Sequence, residues 1–160
     1  MKGESTVQLE NGQIVEESLE KYGIFASMTR GTSMWPVFRT HRDTVYIVKP
    51  EGTLRPRDIA VYKTLDGRYI MHRVYRVKEN EYIIRGDNTY VTEHVPHASV
   101  IGVLMEFDRK GKHHTVKDLS FRIYGAIWTF LYPLRFLAYH TLRFLWHLIK
   151  PLVKGKKTKE

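Results

Sequence analysis

The chain has 160 residues, about the length of one domain, which excludes a tandem of large domains. Lysine and arginine total 26 against 17 acidic residues, giving a net charge of +9, and 42% of the residues are hydrophobic, which excludes wholesale disorder. The absence of cysteine excludes disulfides, thiol nucleophiles and thiolate metal sites, and leaves hydroxyl, imidazole and carboxylate chemistry.

The basic excess is concentrated towards the C-terminal end of the chain. Residues 119–160 carry eight Lys or Arg and one Glu, whereas residues 1–118 are close to neutral. The same C-terminal part holds nine of the twenty aromatic residues. We therefore predict two parts: a folded domain over residues 1–118, and a helical segment with a basic tail over residues 119–160.

The front part of the chain has the pattern of a small β domain. Its first residues lack the apolar run of a cleavable signal peptide, and a helix is expected over Gln13–Tyr22. Hairpin turns at Asp66-Gly67 and Glu79-Asn80 indicate antiparallel pairing, so the expected fold class is mainly β. Six segments rich in β-branched and aromatic residues predict the strands: Ile24–Met28, Thr44–Val48, Ile59–Tyr62, Tyr69–Val77, Glu81–Ile84 and Val100–Phe107.

After Asp118 the pattern becomes helical. The uncharged run Ile123–Leu134 is shorter than the roughly 18 to 20 residues that cross a bilayer as a helix, and Pro133 is expected to kink or end it. From Arg135 onward, basic side chains occupy one side of the helix and apolar ones the other. This predicts lipid contact through residues 119–154, in a segment that lies in a membrane interface or re-enters it. The alternatives are a transmembrane span, which would bury Arg135 near its centre, and a helix that packs on the β domain.

A short turn carries the sharpest local feature, Gly31-Thr32-Ser33-Met34-Trp35-Pro36, directly after a predicted strand. A serine on a glycine-preceded turn can present its hydroxyl where nearby backbone N–H groups also point. Acyl transfer requires this arrangement, because the N–H groups stabilise the oxyanion. A purely structural serine is the common alternative at such a turn.

Two further segments carry titratable side chains. His72 lies within the predicted strand Tyr69–Val77, and histidine is the natural general base for a serine because it titrates near neutral pH. Gly86-Asp87-Asn88 is followed by Glu93, and a carboxylate there could hold the imidazole tautomer. The tripeptide alone is more commonly a turn in which Asp bonds its own backbone.

Together these three segments resemble the signal peptidase I family and the wider superfamily of LexA-like serine peptidases. Ser33-Met34 followed by Pro36 is similar to the family's Ser-Met-x-Pro nucleophile box. Arg57–Tyr62 is similar to its Gly-Asp-Ile-Val-Val-Phe strand, and Gly86-Asp87-Asn88 to its terminal box. The resemblance covers about Ser27–Phe107. It implies a β domain of signal peptidase and LexA-like type.

The residues around the histidine resemble one branch of this family. Met71-His72-Arg73-Val74 is similar to the His-Arg-Val segment of the endoplasmic-reticulum and archaeal type, whereas bacterial signal peptidases and LexA-like proteins place a lysine there. The resemblance implies a catalytic dyad of Ser33 and His72. The acidic partner is expected to be either Glu93, at the family's position, or Asp87.

The resemblance also implies the surroundings of the catalytic residues. Signal peptidases usually have a serine at the position of Gly31, so the oxyanion hole is expected to use backbone N–H groups of Gly31, Thr32 and Ser33. Met34 and Trp35 are candidates to line an apolar substrate cleft, although they fit a hydrophobic core equally well. No cofactor or metal is implied.

The expected function is therefore a membrane-associated serine endopeptidase that uses a Ser-His acyl-enzyme mechanism. It is expected to cleave signal or leader peptides from a peptide or preprotein substrate at the cytoplasmic membrane. The side on which the domain lies and the oligomeric state stay open. The alternatives are a catalytically inactive membrane-bound partner and a basic nucleic-acid-binding module, the latter suggested by a pI near 9.7. A metal site is not expected, since the remaining histidines lack ligand spacing: His94, His97, His113 and His114.

Overall fold

An antiparallel β sheet dominates the computed structural model, which describes residues 12–154. Within those residues the helices are Gly12–Tyr22 (α1), Leu119–Phe130 (α2) and Tyr132–Lys154 (α3), and a short 3-10 helix covers His97–Ser99. The strands are Ile24–Met28 (β1), Thr44–Val48 (β2), Ile59–Lys63 (β3), Tyr69–Val77 (β4), Glu81–Arg85 (β5), Glu93–Pro96 (β6), Val100–Arg109 (β7) and Lys112–Thr115 (β8). The predicted mainly-β class and the short N-terminal helix are confirmed.

The six strands predicted from the sequence are present, with ends that differ from expectation by at most two residues. β6 and β8 lie outside the predicted set. β6 reads Glu-His-Val-Pro and β8 reads Lys-His-His-Thr, so neither has the alternating apolar pattern that identifies a strand in a sequence. Both are formed through pairing with a neighbouring strand.

The strand order across the sheet is β1-β2-β7-β3-β4-β5-β6, and β8 pairs with β7. Turns at Asp66-Gly67 and Glu79-Asn80 join β3 to β4 and β4 to β5, both as antiparallel pairs. β3 and β4 lie inside the sheet and are buried along most of their length. Burial on both faces explains why β3, Ile-Ala-Val-Tyr-Lys, is a nearly continuous apolar run rather than an alternating one.

Alternate residues of the interior strands face two separate hydrophobic clusters. Ile59 and Val61 of β3 belong to the cluster that receives Leu19 from α1. Ala60 and Tyr62 belong to the second cluster. The same alternation continues in β4, so its consecutive side chains point to opposite sides of the sheet.

The described chain divides into two compact units between Ala126 and Ile127, within α2. In the second unit, α2 and α3 are separated at Leu131. Pro133 lies in the first turn of α3, where a missing N–H removes no intrahelical hydrogen bond. The helix predicted from Arg135 onward therefore begins earlier than expected, and the preceding helix ends before the proline.

α3 combines basic residues with many exposed apolar side chains. None of the helices within residues 12–154 is both long enough and apolar enough to cross a bilayer. Lipid contact through residues 119–154 stays a prediction. The exposed large apolar residues of α3 are Leu134, Phe136, Leu137, Tyr139, Leu142, Phe144, Leu145, Trp146 and Ile149.

Gly102 allows β7 to lie close to β2. A Cβ added at residue 102 would overlap Cγ2 of Ile47 and lie 3.3 Å from the carbonyl oxygen of Val48. We expect Gly102→Ala to lower the free energy of unfolding by about 1–3 kcal/mol, because overpacking forces neighbouring atoms to shift. Urea unfolding measures the change, with Lys112→Ala at an exposed position of β8 as the control. An unchanged free energy for Gly102→Ala would contradict the close packing.

Candidate active site

A tight turn after β1 carries Ser33. Gly31 adopts a φ of +87°, a conformation that favours glycine, and turns the chain just before the serine. The N–H of Trp35 donates to the carbonyl oxygen of Thr32 at 3.0 Å, which closes the turn around residue 33. Within this turn Ser33 is only 2% exposed.

β4 places the imidazole of His72 against the Ser33 hydroxyl. Nε2 of His72 lies 2.8 Å from Oγ of Ser33, and Nδ1 lies 2.7 Å from Oε2 of Glu93. Because a carboxylate only accepts hydrogen bonds, Nδ1 carries the proton and Nε2 accepts the hydroxyl hydrogen. The three side chains form one hydrogen-bonded series, in which the imidazole can remove the serine proton.

Strand pairing explains how Glu93 reaches His72. Glu93 begins β6 and pairs with Ile84 of β5, which in turn pairs with Val74 of β4. Residues directly opposite each other in antiparallel strands share a face of the sheet. His72 lies two residues before Val74 and therefore on the same face, so β6 delivers the carboxylate to the imidazole.

Tyr62 is a site residue that the sequence analysis did not identify. Its hydroxyl donates to Oε2 of Glu93 and lies 3.4 Å from Nδ1 of His72. Burial, the charge of Glu93 and this hydrogen bond raise the pKa of Tyr62 far above its ordinary value, so the hydroxyl stays a donor. The register of β3 on β4 is the signal that could have identified Tyr62. Ala60 lies opposite His72, and Tyr62, two residues after Ala60, lies on the same face of the sheet.

The surroundings of Glu93 keep its carboxyl ionised. Burial acts to raise its pKa, but the hydrogen bond and charge of His72, together with the hydrogen bond from Tyr62, outweigh burial. The pKa of Glu93 therefore lies below its ordinary value. At neutral pH the carboxylate can accept a hydrogen bond from Nδ1–H of the imidazole and stabilise an imidazolium.

The other candidate carboxylate, Asp87, is engaged with Arg73 rather than with His72. Its two oxygens accept from Nε and Nη2 of Arg73, each at 2.7 Å, and both side chains are buried. Burial acts to lower the pKa of Arg73, but the charge and hydrogen bonds of Asp87 raise it above its ordinary value. Of the two carboxylates that the sequence left open, the structure places Glu93 at the imidazole.

The loop over residues 86–88 also contacts the serine turn. The N–H of Asn88 donates to the carbonyl oxygen of Ser33 at 2.6 Å. A Cβ added at Gly86 would lie 2.7 Å from that carbonyl oxygen and 3.0 Å from Nε2 of His72. Only glycine permits this approach, so Gly86 and Asn88 belong to the site although the sequence analysis gave them no role there.

The first part of α2 packs against the buried ion pair. The hydroxyl of Tyr124 donates to Oδ2 of Asp87 at 3.2 Å. The rings of Phe121 and Tyr124 lie 5.8 and 5.7 Å from the guanidinium carbon of Arg73. A Cβ at Gly125 would lie 3.0 Å from Nη1 of Arg73, so glycine lets the helix approach this closely.

The remaining predicted site residues lie in or beside the serine turn. Gly31, Thr32 and Ser33 adjoin the hydroxyl, where backbone donors to an oxyanion are expected. Met34 is fully buried and belongs to the hydrophobic core, which is the alternative the sequence allowed. Trp35 is 45% exposed, so it is the accessible one of the two residues expected to contact substrate.

The histidines outside the site lie near separate carboxylates. Nδ1 of His94 is 3.0 Å from Glu81, and Nδ1 of His113 is 2.8 Å from Asp108. Over residues 12–154, no three His, Asp or Glu side chains are grouped so as to hold a metal ion.

The serine hydroxyl, imidazole and carboxylate stand in the order that acyl transfer requires. Comparison of the chain with protein-family models, curated proteins and solved structures gives no match. An assignment of function therefore depends on this arrangement of side chains and on the motifs that supply it.

Removal of the Tyr62 hydroxyl should destabilise the protein in a pH-dependent way. Tyr62→Phe deletes a hydrogen bond that lowers the pKa of Glu93, so this pKa rises towards the unfolded value of about 4.3. A depressed folded pKa stabilises the protein above the unfolded pKa, and this contribution is lost as the pH falls through the folded pKa. We expect Tyr62→Phe to cost about 1–2 kcal/mol at neutral pH and less in acid, as measured by urea unfolding.

Tyr82→Phe is the matched control for this pH dependence. The hydroxyl of Tyr82 is also buried, but it accepts the backbone N–H of Leu54 at 2.9 Å and, among residues 12–154, bonds to no carboxylate. Its removal should cost the same free energy at both pH values. A pH-independent loss for Tyr62→Phe would contradict the coupling to Glu93.

Asp87→Asn should destabilise the fold because it leaves the Arg73 guanidinium buried without a counter-ion. Breaking a buried ion pair on one side costs about 3–5 kcal/mol. Asp66→Asn, which removes the carboxylate of an exposed pair with Arg68, is the control and should have little effect. Equal unfolding midpoints for Asp87→Asn and the wild type would show that Asp87 does not stabilise the buried arginine.

Proposed function

We propose that this chain is a membrane-associated serine endopeptidase that cleaves signal or leader peptides, on a β domain of signal peptidase and LexA-like type. The hydrogen-bonded series of Ser33, His72 and Glu93, with separations of 2.8 and 2.7 Å, carries the proposal. Ser33 and His72 lie in two segments that resemble the signal peptidase I family. A purely structural histidine would not need a hydroxyl on one ring nitrogen and a carboxylate on the other.

In the first half of the reaction, Oγ of Ser33 attacks the carbonyl carbon of the scissile peptide bond as its proton passes to Nε2 of His72. Glu93 stabilises the resulting imidazolium through Nδ1–H. The oxyanion accepts hydrogen bonds from backbone N–H groups of the turn at Gly31–Ser33. The C–N bond then breaks, Nε2–H protonates the departing amine, and an ester on Ser33 remains.

Water completes the second half. Nε2 of His72 takes a proton from water, and the oxygen attacks the ester carbonyl carbon. The bond to Oγ breaks, and the proton on Nε2 returns to the Ser33 oxygen. The products are a new carboxyl terminus and the free serine. Glu93, itself held by Tyr62, keeps the ring in the required orientation in both its neutral and its protonated form.

The edge strand β1 supports an extended peptide as substrate. In the described sheet β1 pairs with β2 alone, and the strand ends shortly before Ser33. Peptides commonly bind such an edge by adding a strand. Trp35 offers an exposed apolar surface beside the serine turn. Small side chains next to the cut, which the family resemblance implies, fit a site in which Ser33 is almost fully enclosed.

Association with the cytoplasmic membrane is part of the proposal. α3 presents basic residues together with exposed aromatic and aliphatic ones, the composition of helices that lie in a membrane interface. Residues 119–154 supply this contact. If the domain lies on the inner side of the membrane, its substrates would be leader peptides before export. If it lies on the outer side, its substrates would be translocated preproteins.

Labelling by an electrophilic peptide phosphonate tests the proposal, because such a probe reacts with an activated serine hydroxyl. We expect the full chain, bound to vesicles, to be labelled at Ser33. Ser33→Ala and His72→Ala should lower the labelling rate by at least about a thousandfold while the fold is retained. Circular dichroism and mass spectrometry of the labelled peptide give the two readouts.

Matched controls are Ser18→Ala, which removes a hydroxyl on α1, and His94→Ala, which removes an exposed histidine on β6. Both variants should be labelled at the wild-type rate. Labelling of Ser33→Ala at the wild-type rate would contradict the mechanism. A folded, vesicle-bound wild type that resists the probe would favour the inactive partner instead.

A further inference from the structure

A basic cleft adjoins the start of α2 and is separate from the Ser33 turn. It has a volume of about 900 Å³ and lies between the turn before β3 and the first residues of α2. This volume is within the range of small-ligand sites, roughly 300–1,000 Å³. Its charged lining residues are Arg55, Arg57, Asp58, Arg73, Lys117 and Arg122.

Most of the positive charge in the cleft lacks a carboxylate partner. Arg73 is neutralised by Asp87, but Arg55, Arg57, Lys117 and Arg122 are exposed. No ion pair joins any of these four to a carboxylate in the part of the chain that the structure describes. Asp58 supplies the cleft's unpaired carboxylate, and one of its oxygens already accepts the backbone N–H of Arg55. The cleft is therefore strongly attractive to anions.

Arg57 is held in the cleft at a cost in backbone energy. The N–H of Asp58 donates to the carbonyl oxygen of Arg55 at 3.1 Å, which makes Arg57 the third residue of a tight turn with a φ of +82°. Glycine is the usual residue at such a position, and other residues adopt this conformation at a cost of about 1–3 kcal/mol. Strain of this kind tends to persist at functional sites, and here it adds a guanidinium to the cleft.

The other wall of the cleft is apolar. Leu119 and Ile123 stand one helical turn apart on α2, line the cleft, and are 69% and 48% exposed. Leu104, Val116 and Phe121 extend this wall inward. A matching ligand has an anionic group beside an apolar portion. Phospholipids have this composition, whereas the backbone of a nucleic acid lacks the apolar portion.

We propose that this cleft binds the phosphate headgroup of an anionic phospholipid. Arg55, Arg57 and Arg122 contact the phosphate, and Leu119 and Ile123 contact the adjoining acyl chains. The proposal takes its setting from the membrane association proposed above, but it does not depend on the chemistry of Ser33. It adds two cations of the turn before β3, Arg55 and Arg57, to a membrane contact otherwise assigned to residues 119–154.

The test measures partitioning of the full chain onto vesicles by sedimentation. One set of vesicles contains phosphatidylcholine alone, and the other an equimolar mixture with phosphatidylglycerol. The variant R55Q/R57Q/R122Q removes three cleft charges, and R76Q/K110Q/K112Q removes three exposed charges outside the cleft. We expect about a tenfold loss of affinity for the anionic vesicles with the cleft variant and less than about threefold with the control. Both variants should behave like wild type on phosphatidylcholine.

Equal losses for the two variants would overturn the proposal, since they would show only a general attraction of basic surface. Competition by inorganic phosphate at the lipid phosphate concentration would assign the cleft to free phosphate. If the cleft variant loses affinity for duplex DNA but not for vesicles, the cleft is assigned to nucleic acid. If the triple variant does not fold, Arg122→Gln alone, at an exposed position of α2, should weaken vesicle binding by about threefold.

Phosphonate labelling in the absence of vesicles separates this proposal from the peptidase proposal. The cleft variant should be labelled at the wild-type rate. If the cleft variant is labelled at the wild-type rate and binds vesicles as tightly as the wild type does, the lipid site is overturned and the peptidase proposal stands. If the cleft variant binds vesicles more weakly but the wild type is not labelled, the lipid site is retained and the peptidase proposal is overturned.

Discussion

Consecutive side chains of β4 point to opposite faces of the sheet, and this constraint gives His72 and Arg73 different partners. On one face His72 reaches the Ser33 hydroxyl. On the other, Arg73 forms a buried ion pair with Asp87. Because the loop over residues 86–88 also bonds the backbone of Ser33, the ion pair fixes the loop that holds the serine turn. One strand therefore positions both the His72 imidazole and the loop that supports the Ser33 turn.

The ion pair depends on the first part of α2. Tyr124 donates to the carboxylate, and Phe121 places a ring beside the guanidinium. Two buried charges are stable only when their remaining hydrogen-bonding groups are also satisfied, and the helix helps to meet this requirement. The first residues of α2 therefore complete the interior of the β domain, although the composition of this helix is that of a membrane segment.

Much of the sheet is predictable because its strands are runs of β-branched and aromatic residues, and Ser33 and His72 are predictable because short motifs carry them. The choice between Asp87 and Glu93 is different, since it requires the path of β6, and Glu-His-Val-Pro has no strand pattern. Tyr62 is not predictable as a site residue, because a tyrosine within an apolar strand is typical of the hydrophobic core. Only the register of β3 on β4 places its hydroxyl at the carboxylate.

The site combines segments of unequal local stability. His72 lies on an interior strand that is buried on both faces, where backbone amides exchange with solvent only during extensive unfolding. Glu93 begins an edge strand of four residues, a kind of segment that opens at lower free energy. Local opening of β6 would separate the Glu93 carboxylate from the imidazole while the interior of the sheet stays folded. We therefore expect the hydrogen bond between Glu93 and His72 to break at a lower temperature than the one at which the domain melts.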